Sequence, residues 1–282
     1  RLEAVYVRFA PTDPLARAVW LFQGSVVLPK PSGEGWQAEQ RDVEVARQAA
    51  VQALYERGGI PAILGLARLA DSPGYIGKAL YDSGLAATKL DALIAAAARS
   101  ADIHERDVAH GLIISAFRDR GEEWGEALIR QARDQAWGDD ALMTILRALP
   151  TSRWTWEQVA KIGGDTLTTY WRRAPVFWMD EDGGDIAYAI HQLIDVGRAR
   201  HALALVGRGD KNDRLPTAML VEVLEQAAQE PLEDLENGNE ATMFQHYVAE
   251  TLTELDTRDD VDRNALARLE WNYLRVLEHS RR

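Results

Sequence analysis

Residues 50–69 read AVQALYERGGIPAILGLARL. Val43, Ala46, Ala50, Val51 and Leu54 recur at the spacing of one helical face. A glycine pair, Gly58-Gly59, then stops that helix, and Pro61 is suited to open the next. The phrase returns with variations at 107–132, DVAHGLIISAFRDRGEEWGEALIRQA, and at 185–207, DIAYAIHQLIDVGRARHALALVG. Each version has an amphipathic helix, a glycine (Gly59, Gly121, Gly197) and a second helix of small and aliphatic residues. Such a helix pair cannot bury its apolar stripe alone, and stacking pairs against one another solves the problem. The expected fold is therefore all-α: an irregular α-solenoid of stacked helical hairpins, with a non-repetitive helical bundle as the alternative.

Outward from these phrases the chain stays helical. Asp13-Pro14 opens a short helix ending near Phe22, and a loop with Pro29 and Pro31 follows. A long helix spans about 37–57, another apolar helix covers 89–98, and one near 140–149 is stopped by Pro150. Thr155 and Asp165 read as caps of two short helices, and three longer helices close the chain from Pro216 onward. No segment shows the sustained alternation of a strand. The domain reading is an N-terminal helix and loop over 1–35 and a helical-repeat domain over 36–282, with a sub-boundary near 150. The glycine junctions are unevenly spaced, which excludes a strict tetratricopeptide array.

Net charge is −12, with a sequence pI near 5.0, so the basic face of a duplex-binding module is not expected and nucleic acid is not a predicted partner. There is no cysteine, which removes disulfides and thiolate metal sites and points to a cytoplasmic setting. No apolar run approaches the roughly 20 residues that span a bilayer, so no membrane partner is expected. The chain begins at Arg1 and stops at Arg281-Arg282 inside a helical pattern, and reads as a fragment of a larger protein.

The strongest compositional anomaly lies between Trp154 and Trp178. It holds Trp154, Trp156, Tyr170, Trp171, Phe177 and Trp178, with Arg172 and Arg173 between them. That is the composition of an interface hot spot, and Trp156, Tyr170, Trp171, Arg172 and Trp178 are the candidate partner-binding residues. The rival reading makes the aromatics gap-fillers between short helices. Trp156 and Val159 have the spacing of a core face, whereas adjacent Tyr170 and Trp171 are not expected to face inward equally.

Other motifs fail on spacing. Asp180-Glu181-Asp182-Gly183-Gly184-Asp185 has His191 where a calcium loop needs its twelfth-position Glu, so an acidic helix start is the better reading. His104 and His110 are not the four apart that a helical zinc motif requires. Asp259-Asp260-Val261-Asp262 suggests the aspartate-rich motif of prenyl-transfer enzymes, but Asn212-Asp213 does not supply its counterpart, and a helix cap accounts for the aspartates. Gly163-Gly164 and Gly183-Gly184 lack the Lys-Ser/Thr tail of a phosphate loop. No catalytic residue, cofactor or metal is expected.

With Trp20-Leu21-Phe22, Gly59, Tyr170-Trp171, Gly197-Arg198 and Leu269-Glu270-Trp271, the chain resembles a helical-repeat region (TPR- or HEAT-like) of large, uncharacterised bacterial proteins. Some proteins of that kind carry an NTPase or effector module elsewhere and sit in defence-like contexts. The resemblance implies a sensing or scaffolding region that binds a protein partner or another domain of its parent chain. The alternatives are an α/α-barrel carbohydrate-active enzyme, for which the nine tryptophans and many carboxylates are the argument, and a purely structural helical block.

Overall fold

The computed structural model describes residues 11–28, 35–175, 183–209, 215–230 and 238–278. Among the described residues there are thirteen α-helices and no strand, so the fold is all-α. The chain divides into two compact units, Arg1–Pro150 and Thr151–Arg282.

The first unit contains α1 (Pro14–Val19), a 3-10 turn (Trp20–Phe22), α2 (Trp36–Ala67), α3 (Gly74–Asp82), α4 (Ala87–Ala98), α5 (Ile103–Asp134) and α6 (Asp139–Ala148). Asp13 caps α1 as the sequence predicts, its carboxylate accepting from the amides of Leu15 and Ala16. The 3-10 turn and α1 both pack on α2, so the N-terminal helix belongs to the first unit. Arg47 of α2 ties this end together. Its Nε donates to the Leu21 carbonyl at 2.7 Å, and its guanidinium lies 4.2 Å from the centre of the Tyr75 ring.

Two expected hairpins differ from the prediction. At Gly59 and at Gly121 the helix does not give way to a loop. One residue alone breaks it, with φ 60°, ψ −150° at Gly59 and φ 71°, ψ −165° at Gly121. Helical hairpins need about two to five connecting residues, so α2 and α5 are cornered helices. These angles are open essentially to glycine alone. A Cβ on Gly121 would touch nothing within 4 Å, so substitution there isolates the backbone term. Gly121→Ala is expected to cost about 1–3 kcal/mol in urea unfolding followed by circular dichroism.

The core of the first unit is aliphatic: Ile63, Leu66, Ile76, Leu80, Leu93, Val108, Leu112 and Ile145 are wholly buried. Its tightest crossing is α3 on α5. A Cβ on Gly77 would stand 2.2 Å from the Val108 carbonyl oxygen, and one on Gly111 would stand 2.0 Å from that of Gly74. The two backbones therefore meet with no side chain between them.

The second unit contains α7 (Arg153–Ile162), α8 (Gly164–Arg173), α9 (Gly183–Asp195), α10 (Ala199–Gly209), α11 (Thr217–Gln229), α12 (Gly238–Asp256) and α13 (Arg263–Glu278). Thr155 is not the cap of α7. It lies inside that helix and is fully buried, while Ser152 holds the cap position. Asp165 likewise sits in the first turn of α8, behind a corner at Gly163 with φ 70° and ψ −163°. Gly197 follows α9 with φ 72° and lets the amide of Arg198 bond the Leu193 carbonyl at 2.8 Å, a Schellman-type stop. The last helix is capped by Asp262, whose carboxylate accepts from the Asn264 amide at 2.9 Å. Helix α10 is central, packing on α9, α11 and α12.

Candidate functional site

Three aromatics of this segment are core, and Trp154 is half-buried. Trp156, Tyr170 and Trp171 are at most 2 % exposed, which corrects the expectation of an exposed aromatic surface. The ring centroids of Trp156 and Trp171 are 5.4 Å apart, and Tyr188 of α9 stacks on Trp156 at 5.8 Å. Tyr170 and Trp171 are both buried because Leu167, Tyr170, Trp171 and Ala174 form one stripe at i, i+3, i+4, i+7. Only Arg172 of the five candidates is exposed among the described residues; Trp178, with Phe177, lies outside them.

The arginines around this core hold carbonyls at helix ends. Arg198 Nη1 donates to the carbonyls of Trp171 (2.7 Å) and Ala174 (3.0 Å), closing the end of α8. Arg200 donates to the Glu230 carbonyl at the end of α11 and pairs with its carboxylate. Burial pushes the Glu230 carboxyl above its ordinary range, although hydrogen bonds from Arg200 and Ala199 pull the other way. Arg153 covers the outer side of the cluster, 4.1 Å from the centre of the Tyr188 ring. An aromatic and Arg-rich sequence thus serves a core edge here, not an exposed patch.

The histidines and aspartates are scattered. His104 Nδ1 lies 3.3 Å from the Ala70 carbonyl oxygen. His110 is held below the usual imidazole range by burial, with Arg147 adding to the shift and Asp107 opposing it. Asp260 accepts from the Thr217 hydroxyl at 2.8 Å, and Asp185 stands in the first turn of α9 near Arg153. Residues 180–182 and 212–213 lie outside the described residues. Among the described residues no three His, Asp or Glu side chains gather as a metal site would need, and no helix is long and apolar enough to cross a membrane.

Among the described residues, a cleft of about 430 Å³ in the second unit has room for a ligand. Volumes of that order accept small molecules or a few side chains. Its floor is apolar and buried: Leu203 and Val206 from α10, and Leu215 and Leu220 at the start of α11. Its other wall is one face of α12, where Tyr247, Glu250, Thr251, Glu254 and Arg258 follow at helical spacing into the turn beyond. Arg258 is 6 % exposed and firmly committed. Its Nη1 donates to the Leu215 carbonyl (2.6 Å) and the Thr217 hydroxyl (3.1 Å), and its Nε donates to Glu254 (3.0 Å). That network fixes the start of α11 against the end of α12 and so sets the width of the cleft.

Sequence reasoning missed this site. Its floor and wall come from three helices with no shared spacing, and α12 reads in sequence as an ordinary closing helix. The available signal was Glu250, Thr253, Glu254 and Thr257 at i, i+3, i+4, i+7, which puts two carboxylates and two hydroxyls on one arc. Comparison with protein-family models, with curated proteins and with solved structures finds no match for this chain.

Proposed function

We propose that this chain is a non-catalytic helical scaffold that binds a protein segment through the cleft of its second unit. The observation that carries the reading is the cleft itself: a buried apolar floor beside a polar helix face, braced by Arg258. A cleft of this size can enclose a few side chains of a bound segment, and its polar wall can orient them. Local packing supports the scaffold part of the reading. Within each unit the main contacts of a helix are with helices no more than three places away in the chain, as in stacked architectures.

The test is site-specific photo-cross-linking in cells of the source organism. A photoreactive residue at Thr253, on the lip of the cleft, is expected to trap one protein species. The same residue at Glu222, exposed on α11 and outside the cleft lining, is expected to trap none of it. Equal trapping at both positions, or none at Thr253, overturns the proposal.

A further inference from the structure

The first arm of α5, residues 103–120, packs on α3, α4 and α6. Val108, Ala109, Leu112, Ile113 and Ala116 are buried on its inner side. The line left outside, at i, i+4, i+7 and i+11, is Ile103, Asp107, His110 and Ile114. Ile103 is 61 % exposed and Ile114 is 49 % exposed. Asp107 is exposed and His110 is half-buried. Exposed Arg147 of α6 stands close enough to His110 to act on its charge. Among the described residues neither Asp107 nor Arg147 belongs to an ion pair. Arg118, next along the line, already has Asp119 at 3.7 Å.

Single exposed isoleucines are ordinary on a protein surface and carry nothing alone. The order of this line is what counts. Its spacing is four, three, four, and its chemistry is apolar, polar, polar, apolar, so it reads alike from both ends. We infer that a second copy of this chain docks on the line antiparallel, about a two-fold axis between Asp107 and His110. Ile103 of each copy then meets Ile114 of the other. Each Asp107 carboxylate faces the other copy's His110 and Arg147. That is the reciprocal contact a two-fold interface requires. A parallel pairing sets Asp107 against Asp107 and is disfavoured by like charge. The chain thus complements itself locally, although its net charge of −12 opposes the approach of a second copy at long range. One helix stripe buries less than the roughly 1,200 Å² of stable interfaces, so pairing is expected at about 10–500 µM. The inference is independent of the cleft, which lies in the second unit.

The chain has no cysteine, so a single thiol can be placed where it is wanted. The experiment treats the full chain at about 0.2 mM with a short bis-maleimide, as Ile103→Cys alone, Ile114→Cys alone and the two mixed. In the antiparallel pair the thiols of two identical variants stand about 16 Å apart along the helix, beyond the linker. The expected result is a cross-linked dimer in the mixture, at least about tenfold above either variant alone. Equal yields in all three mean random collision and overturn the inference. Cross-linking by the single variants only means another register, and no cross-link at all means no pairing; both overturn it. Charge reversal gives a second readout by sedimentation equilibrium. Asp107→Arg and Arg147→Asp are each expected to weaken self-association at least about tenfold. Mixed together they are expected to pair again, because each reversed charge then meets its opposite, and that recovery shows both variants folded. Glu225→Arg and Arg172→Asp, exposed in the second unit, change net charge equally and are expected to do little. A mixture that fails to recover, or a control pair with the same effect, overturns the inference.

Discussion

Gly111→Ala is expected to destabilise the first unit by at least about 3 kcal/mol. The methyl group would stand 2.0 Å from the carbonyl oxygen of Gly74 and 2.8 Å from its carbonyl carbon. Both are backbone atoms, so no rotamer change relieves the contact. Helices α3 and α5 must separate instead, which strips the tight packing of Ile76, Leu80, Val108 and Leu112. Gly77→Ala meets the same crossing from the other side, 2.2 Å from the Val108 carbonyl oxygen, and belongs in the same experiment. Gly65→Ala is the control. That glycine is inside α2, and the nearest contact of its new methyl is ordinary, 3.7 Å from Leu15. Helix propensity then favours alanine by about 0.5–1 kcal/mol, so the sign reverses. Urea unfolding by circular dichroism, with hydrogen exchange to localise the loss to residues 1–150, checks the set. A Gly111→Ala protein as stable as wild type would refute the close crossing.

The legible part of the fold was local. Helix after helix followed from apolar spacing, and Gly59, Gly121 and Gly197 were recognised because a residue just past a helix end so often needs a positive φ, here 60°, 71° and 72°. Asp13 and Asp262 were readable as caps for the same kind of reason: the carboxylate serves amides two or three residues away. What a corner does next was not legible. One glycine between helical runs fits a looped hairpin or an abrupt bend, and only ψ near −150° or −165° decides it. The matching corner at Gly163 passed as a failed phosphate loop. Gly77 and Gly111 gave no local sign either, because a close crossing depends on which distant helix arrives. The cleft was hidden for a similar reason: Leu203, Leu215 and Thr251 are unremarkable until α10, α11 and α12 are brought together.

Trp171→Ala is expected to cost the second unit about 3–5 kcal/mol, and Arg172→Ala within about 0.5 kcal/mol of nothing. The two residues are chain neighbours, so the contrast separates core from surface. Trp171 is 2 % exposed and packs its ring on Trp156, Tyr170 and Tyr188, with centroids 5.4–6.1 Å away. Truncation leaves a large cavity among rings that cannot collapse into it. Arg172 is exposed in the last turn of α8, where a cation gains only a modest interaction with the helix end. Trp171→Phe refines the test. Among the described residues neither the Trp171 nor the Trp156 indole N–H has a hydrogen-bond partner. Phenylalanine removes one such buried donor, and the relief from an unsatisfied N–H, about 1–3 kcal/mol, offsets part of the lost volume. The expected order of stability is therefore wild type and Arg172→Ala together, then Trp171→Phe, then Trp171→Ala. Thermal and urea unfolding measure it. Should Trp171→Ala leave stability unchanged while Arg172→Ala abolishes the cross-link at Thr253, the aromatic segment would be an interface and the core assignment would fall.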